Sequence, residues 1–306
     1  MNTPDSLPTI DISGLWSTSP ADHARVAAEV GAACRDTGFF AITGHGISPA
    51  QMQDAFAVAH EVFALPAEAK QELAIARHGS NRGYVGLAIE ALDEKTARDL
   101  KEAYNLIWTD EATRVPNVWP PLPGWRERAQ HYFDAVLAVA QQLHHAFALD
   151  LGLPPGYFQD KLDAPLATLR FLHYPVAFGA DTPAGQAGAG AHTDYGNVTL
   201  LATDGVAGLQ VRRRDGHWLD VPALPGAFVC NIGDCLMRWT NDVYMSTPHR
   251  VAAPTQERYS IAFFLDPNPD ALVQAIPSCV AAGEAPRYAA VTAAEYLRQR
   301  FAATYG

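Results

Sequence analysis

Between residues 165 and 270 the chain reads as a series of short strands. Apolar, β-branched runs at 167–174, 198–202, 208–213, 227–231 and 257–265 are separated by Gly, Pro, Asp and Asn turns. Ahead of them, from Trp125 to about Leu151, Tyr132, Val136, Val139, Leu143 and Phe147 recur at three- or four-residue spacing, the stripe of a core-facing helix. These two patterns predict an α+β chain with a mostly β core. The core is an antiparallel double-sheet barrel, a double-stranded β-helix of the jelly-roll or cupin type, with N-terminal and flanking helices. The expected organisation is a helical and strand region over 1–164, the barrel over 165–270 and a C-terminal extension over 271–306, forming one structural unit.

The elements follow in order. Leu7–Ile12 reads as an opening strand. Ser19-Pro20 starts a helix, with Ser as N-cap and Pro at the first helical position, running to about Thr37 and stopping at Gly38. Ser48-Pro49 opens a second helix by the same logic, with Met52, Phe56 and Phe63 as its buried stripe, and Pro66 a short third. Residues 79–84 carry loop chemistry. The Gly/Ala-rich run 179–188 reads equally as a lid over a site or a tolerated surface insertion. Thr292-Ala293-Ala294-Glu295 is a capping box opening a C-terminal helix to about Thr304.

Three short motifs carry the chemistry. In Gly190-Ala191-His192-Thr193-Asp194 an imidazole and a carboxylate two residues apart share a strand face. A second imidazole would complete a 2-His-1-carboxylate set, which leaves open positions on Fe(II); the candidate is His249 in Thr247-Pro248-His249-Arg250-Val251. Further on, Arg258 and Ser260 share a face of the run Arg258–Leu265, a guanidinium beside a hydroxyl suited to a carboxylate. Phe264 lies on the same face by parity and is a candidate substrate contact. Asp234, after Gly233, reads as a turn residue. The adjacent His144 and His145 point about 100° apart on their helix, which argues against joint metal binding.

In this order, His-x-Asp, the distal His-Arg-Val and Arg-x-Ser resemble the iron(II)- and 2-oxoglutarate-dependent oxygenases of the isopenicillin N synthase-like branch. The resemblance spans nearly the whole chain: Leu7–Ile12, Phe39–Ile47, Leu169–Pro175 and Thr240–Val251 are similar to segments of that branch. It implies that His192, Asp194 and His249 bind Fe(II), and that Arg258 and Ser260, with Tyr174, grip the distal carboxylate of 2-oxoglutarate. It places Arg82, Tyr84, Tyr104 and Asn105 in regions that line the substrate pocket of similar enzymes. The activity implied is a dioxygenase oxidising a small molecule with O2 and 2-oxoglutarate, releasing succinate and CO2, with ascorbate as a reductant. One position departs from the pattern: Leu172 stands where related oxygenases often have Asn. Three alternatives stay open at this point: an isopenicillin N synthase-like oxidase that does not use 2-oxoglutarate, an ethylene-forming-type enzyme, and a non-catalytic cupin-like metal-binding protein.

Composition narrows the partners. The 306 residues carry a net charge of −11 and the pI is about 5.4, which argues against nucleic acid or an anionic membrane. A small-molecule substrate is expected, with a nucleobase, an amino-acid derivative or a secondary metabolite as candidates. Cys34, Cys230, Cys235 and Cys279 form no CxxC pair and fit free thiols in a reducing compartment. With no signal-peptide pattern at Met1–Ser6 and no apolar stretch near the ~20 residues of a membrane span, a cytoplasmic protein is expected.

Overall fold

The computed structural model describes residues 6–90, 99–109, 115–175, 187–253 and 255–305. Most of the run expected as a lid or insertion falls on 176–186, outside the described residues. The N-terminal half supplies β1 (Thr9–Asp11), α1 (Pro20–Asp36), β2 (Phe39–Thr43), α2 (Pro49–Phe63), α3 (Ala67–Glu72), α4 (Ile75–His78), β3 (Gly83–Val85), β4 (Glu102–Ile107) and α5 (Trp125–Asp150). The remainder supplies β5 (Leu166–Tyr174), β6 (Ala189–His192), β7 (Val198–Thr203), β8 (Leu209–Arg212), β9 (Trp218–Asp220), β10 (Phe228–Ile232), α6 (Asp234–Trp239), β11 (His249–Val251) and β12 (Arg258–Asp266). Then come β13 (Leu272–Val273), β14 (Val291–Thr292) and α7 (Ala293–Tyr305).

Local chemistry sets the helix ends. The Ser19 side chain accepts from the Asp22 amide, and Ser48 with Gln51 forms a full capping box ahead of Pro49. Gly38 ends α1 at φ +68, donating its amide to Ala33 at 2.9 Å, a conformation that costs glycine little. At the far end of the chain, Thr292 accepts from the Glu295 amide at 3.3 Å.

Eight strands form a large sheet in the order β1-β2-β10-β7-β12-β5-β4-β3, and four form a smaller one, β6-β11-β8-β9. Apart from the parallel β1–β2 pair the ladders are antiparallel. The two sheets face each other as a jelly-roll barrel. The large sheet draws four of its strands from before residue 165. β3 begins inside the stretch that reads as loop, and β4 pairs along its length with β5, from Glu102↔His173 to Ile107↔Thr168.

Alternation divides the sheet into two faces. On β12, Tyr259, Ile261, Phe263 and Leu265 join the main apolar core, which α1, α2 and α5 cover. The whole α5 stripe from Tyr132 to Phe147 is buried there, with Phe133 edge-on to Phe263 at 5.2 Å. The opposite face of the same strand carries Arg258, Ser260, Ala262, Phe264 and Asp266 into the barrel. All four cysteines are free thiols.

Candidate active site

A cavity of about 240 Å³ opens between the sheets, lined by side chains from β4, β5, β6, β7, β8, β10, β11, β12 and α7. His192 ends β6, and His249 begins β11 directly opposite it in the ladder. Asp194 lies two residues past the end of β6, so a shared strand face does not place it. A tight loop does: the Asp234 amide donates to Asp194 O at 2.8 Å, and the Gly233 amide to Asn197 O at 2.9 Å. A Cβ on Gly233 would sit 2.3 Å from Gly196 O, so this approach requires glycine. Asp234 is therefore not a simple turn residue. It opens α6, is buried, and its carboxylate accepts from Thr193 Oγ1 at 3.0 Å and pairs with Arg300 of α7 at 2.8 Å.

The three candidate ligand atoms lie within 4.8 Å of one another, and both imidazole Nε2 atoms stand 3.7 Å from Asp194 Oδ1. The remaining atoms are already engaged. His192 Nδ1 donates to Gly190 O at 2.7 Å and His249 Nδ1 to Thr247 O at 3.2 Å, which leaves each Nε2 facing the carboxylate. Asp194 Oδ2 accepts from Asn231 Nδ2 at 2.8 Å and from Thr199 Oγ1, leaving Oδ1 toward the imidazoles. Burial opposes the charge on Asp194, but the facing imidazoles and these two donors hold its carboxyl below its usual range. Burial, then repulsion from His249, pushes His192 down to about 4, so it is a neutral imidazole near pH 7.

Arg258 is 1% exposed. Its Nε donates to Val206 O at 3.3 Å and its NH1 to Ser260 Oγ at 3.3 Å, and the guanidinium lies 4.8 Å over the Tyr174 ring. Tyr174 thus meets Arg258 through its ring face. No carboxylate among the described residues pairs with this guanidinium. A buried, unpaired cation is costly, and an anion that enters the cavity relieves the cost.

Of the five expected substrate contacts, Asn105 and Phe264 line the cavity. The other three do not. Tyr104 alternates with Asn105, so its ring lies in the outer core against Trp125 and its hydroxyl donates to Val118 O at 2.7 Å. Tyr84 pairs with Tyr104 in the ladder and its hydroxyl bonds Glu102, on the outer face. Arg82 NH2 reaches Trp108 O at 3.4 Å. His144 and His145 diverge as their helix geometry requires: His144 is buried against Asn197, while His145 meets His23.

The cavity also holds groups that motif reading passed over. Arg170 shares the inner face of β5 with Leu172 and Tyr174, and Lys101 enters just before β4. Glu90 binds the Arg170 guanidinium and lies 3.6 Å from Lys101 Nζ. Burial opposes the charge on Glu90, but these two cations outweigh it and lower its pKa. Asp266, on the Arg258 face of β12, is pushed up to about 7 by burial. Strand parity marks Arg170 and Asp266 in the sequence, and Asn231 stands out as the polar residue of an apolar run. Lys101 and Glu90 carry no comparable sequence signal.

Two family profiles match: the non-haem dioxygenase in morphine synthesis N-terminal region over residues 7–122, and the 2OG-Fe(II) oxygenase superfamily over 166–267. A 2-oxoglutarate-Fe(II) type oxidoreductase of Emericella nidulans, hxnY, is 36% identical over 99% of this chain and 91% of its own length. The chain belongs to the 2OG-Fe(II) oxygenase superfamily. Among solved structures, a full-length Neurospora crassa protein crystallised in complex with alpha-KG and thymine superposes with a TM-score of 0.91 at 32% identity, covering 100% of this chain and 99% of that one. A 2OG-Fe(II) oxygenase family protein from Caulobacter crescentus gives 0.86 at 32% identity, covering 97% and 98%.

This oxygenase is an Fe(II)- and 2-oxoglutarate-dependent dioxygenase, and Fe(II) and 2-oxoglutarate are its cofactor and cosubstrate. The donor set fits both. Two imidazoles and a carboxylate converge with one free atom each, and a buried guanidinium without a counter-ion among the described residues faces the same cavity. No helix among the described residues is long and apolar enough to cross a membrane.

Proposed function

We propose that His192, Asp194 and His249 hold the iron, that Arg258 and Ser260 grip the distal carboxylate of 2-oxoglutarate beside the Tyr174 ring, and that the primary substrate is a small, uncharged, polar molecule oxidised with release of succinate and CO2. When bound, iron and 2-oxoglutarate together with O2 supply the oxidising equivalents. The protein's own groups orient and exclude water. Asn231 and Thr199 aim the Asp194 carboxylate, and Leu172, Leu201 and Phe264 make the wall apolar.

The charge balance of the cavity is the observation that carries the substrate class. Among the described residues, Arg258, Arg170 and Lys101 face Asp194, Glu90 and Asp99, and these charges cancel. Fe(II) and the 2-oxoglutarate dianion cancel as well. Asp266, raised to about 7, adds little charge below neutrality. A charged substrate would therefore be uncompensated in a water-poor site. Asn81 and Asn105 at the rim and wall suit amide and carbonyl edges, and Asn105 Oδ1 is buried without a partner among the described residues. The thymine bound by the Neurospora relative is a molecule of this class, which supports the reading. We place the protein in the cytoplasm, consistent with its free thiols.

The test is succinate formation in the presence of Fe(II), ascorbate and 2-oxoglutarate across matched pairs of neutral and carboxylated heterocycles. Stimulation by the neutral members is expected. Stimulation confined to the carboxylated members overturns the substrate class, and substrate oxidation that needs no 2-oxoglutarate overturns the role of Arg258.

A further inference from the structure

We propose that Asp99 and Lys101 are positioning residues for the iron site: a buried ion pair that clamps the outer edge of β6 and thereby sets where His192 stands. The inference rests on His192 being a metal ligand.

β6 is a four-residue edge strand. Among the described residues it pairs with β11 alone, and the register shifts between the His249 and Val251 positions. Edge strands leave the N–H and C=O groups of alternate residues without a ladder partner. At Gly190 both groups are used. Its amide donates to Asp99 Oδ1 at 2.9 Å, and its carbonyl accepts from His192 Nδ1 at 2.7 Å. The residue that orients the imidazole is thus itself held by the Asp99 carboxylate.

The carboxylate is in turn fixed. Lys101 Nζ bonds Asp99 Oδ2, and the Asp99 amide donates to Glu90 O at 2.9 Å. The Leu100 amide donates to Ala187 O at 3.3 Å, so the backbone of 99–101 is tied to the approach to β6. Asp99 is 1% exposed and Lys101 5%. Such a pair is a poor source of net stability, because desolvation offsets much of its attraction. What it supplies is orientation: a carboxylate oxygen held against one backbone amide. Through Glu90, the clamp also touches Arg170 on the substrate wall.

The test compares Asp99→Ala, Asp99→Asn and Lys101→Met in the full chain by Co(II) titration and by hydrogen exchange of the metal-free protein. Losing a group that orients a metal ligand typically costs about ten- to a hundredfold in affinity. Asp99→Ala should weaken Co(II) binding by that factor and speed exchange in the peptide covering 187–192, with the other strands unchanged. Asp99→Asn keeps an acceptor for the Gly190 amide and should recover most of the affinity; Lys101→Met should fall between. Wild-type affinity and exchange in Asp99→Ala overturn the clamp. So does exchange that rises evenly over all strands, since that marks a general structural role. If Asp99→Ala does not fold, the same readouts on Asp99→Asn and Lys101→Met decide: wild-type behaviour in Lys101→Met then overturns the proposal. His192→Ala separates the two levels. Wild-type Co(II) affinity in that variant overturns the metal assignment itself, whereas loss there with none in the clamp variants overturns only the clamp.

Discussion

The two faces of the large sheet are made by alternate residues of the same strands, yet they do different work. On β12, Tyr259, Ile261, Phe263 and Leu265 pack under α2 and α5, while Arg258, Ser260, Phe264 and Asp266 face the cavity. On β4, Tyr104 fills the outer core and Asn105 the inner wall. The outer face buries enough apolar surface to hold the fold. That leaves the inner face able to carry polar groups that contribute little to stability and much to chemistry. Substitutions on the two faces should therefore separate activity from stability, and four outcomes test that separation.

The largest effect is expected at Asp194. Asp194→Ala should abolish succinate formation while keeping a cooperative unfolding transition; near-full activity in this variant removes Asp194 from the metal site. Next is Arg258→Gln. Truncating one partner of a buried charge pair costs about 2–5 kcal/mol, so the KM for 2-oxoglutarate should rise roughly thirty- to several-thousand-fold, with that for the primary substrate changing far less. Equal changes in both constants contradict the assignment of roles.

On the outer side, His144 of α5 is buried and its pKa is pushed down to about 4 by that burial. Its Nδ1 donates to Ala140 O, and its Nε2 meets Asn197 at the base of the loop that carries Asp194. The folded state holds it neutral, so its contribution is fully present above pH 6.5 and is lost as pH falls through about 4. The loss is at most about 3 kcal/mol. Denaturant titrations of metal-free protein should show His144→Gln with a shallower decline than wild type over that window; parallel curves contradict it. The smallest contrast is the sharpest. Tyr104→Phe should cost about 1 kcal/mol of stability with no change in KM. Its neighbour Asn105→Ala should raise the primary-substrate KM a few-fold with stability nearly unchanged.

Much of this was legible in the residues. Capping chemistry at Ser19-Pro20 and Ser48-Pro49 placed two helices because cap and first turn interact over three residues. Period-2 alternation placed Arg258, Ser260 and Phe264 on one face because a strand has no other option. The His-x-Asp, His-Arg-Val and Arg-x-Ser motifs, read as a resemblance, were enough to name the family. The resemblance set Tyr84 and Tyr104 by the substrate pocket, but strand parity turns both rings into the outer core. Residues 79–84 read as loop by local chemistry, and the pairing of β3 with β4 is a long-range contact that local propensity does not encode.

The sequence by itself therefore determined the elements, the alternation within them and the donor types that suit Fe(II) and a carboxylate. Only the tertiary structure decided how they meet. It set His249 opposite His192 across a ladder, and carried Asp194 to both through a loop pinned by Gly233 and Asp234. It also brought Asp99 and Lys101 against the edge of β6, with Asp99 meeting Gly190 from 91 residues away in the chain. The reason is one of range. Caps, turns and strand parity act between neighbours along the chain, whereas a metal site and its supports are fixed by sheet register and by which edge is left to be clamped.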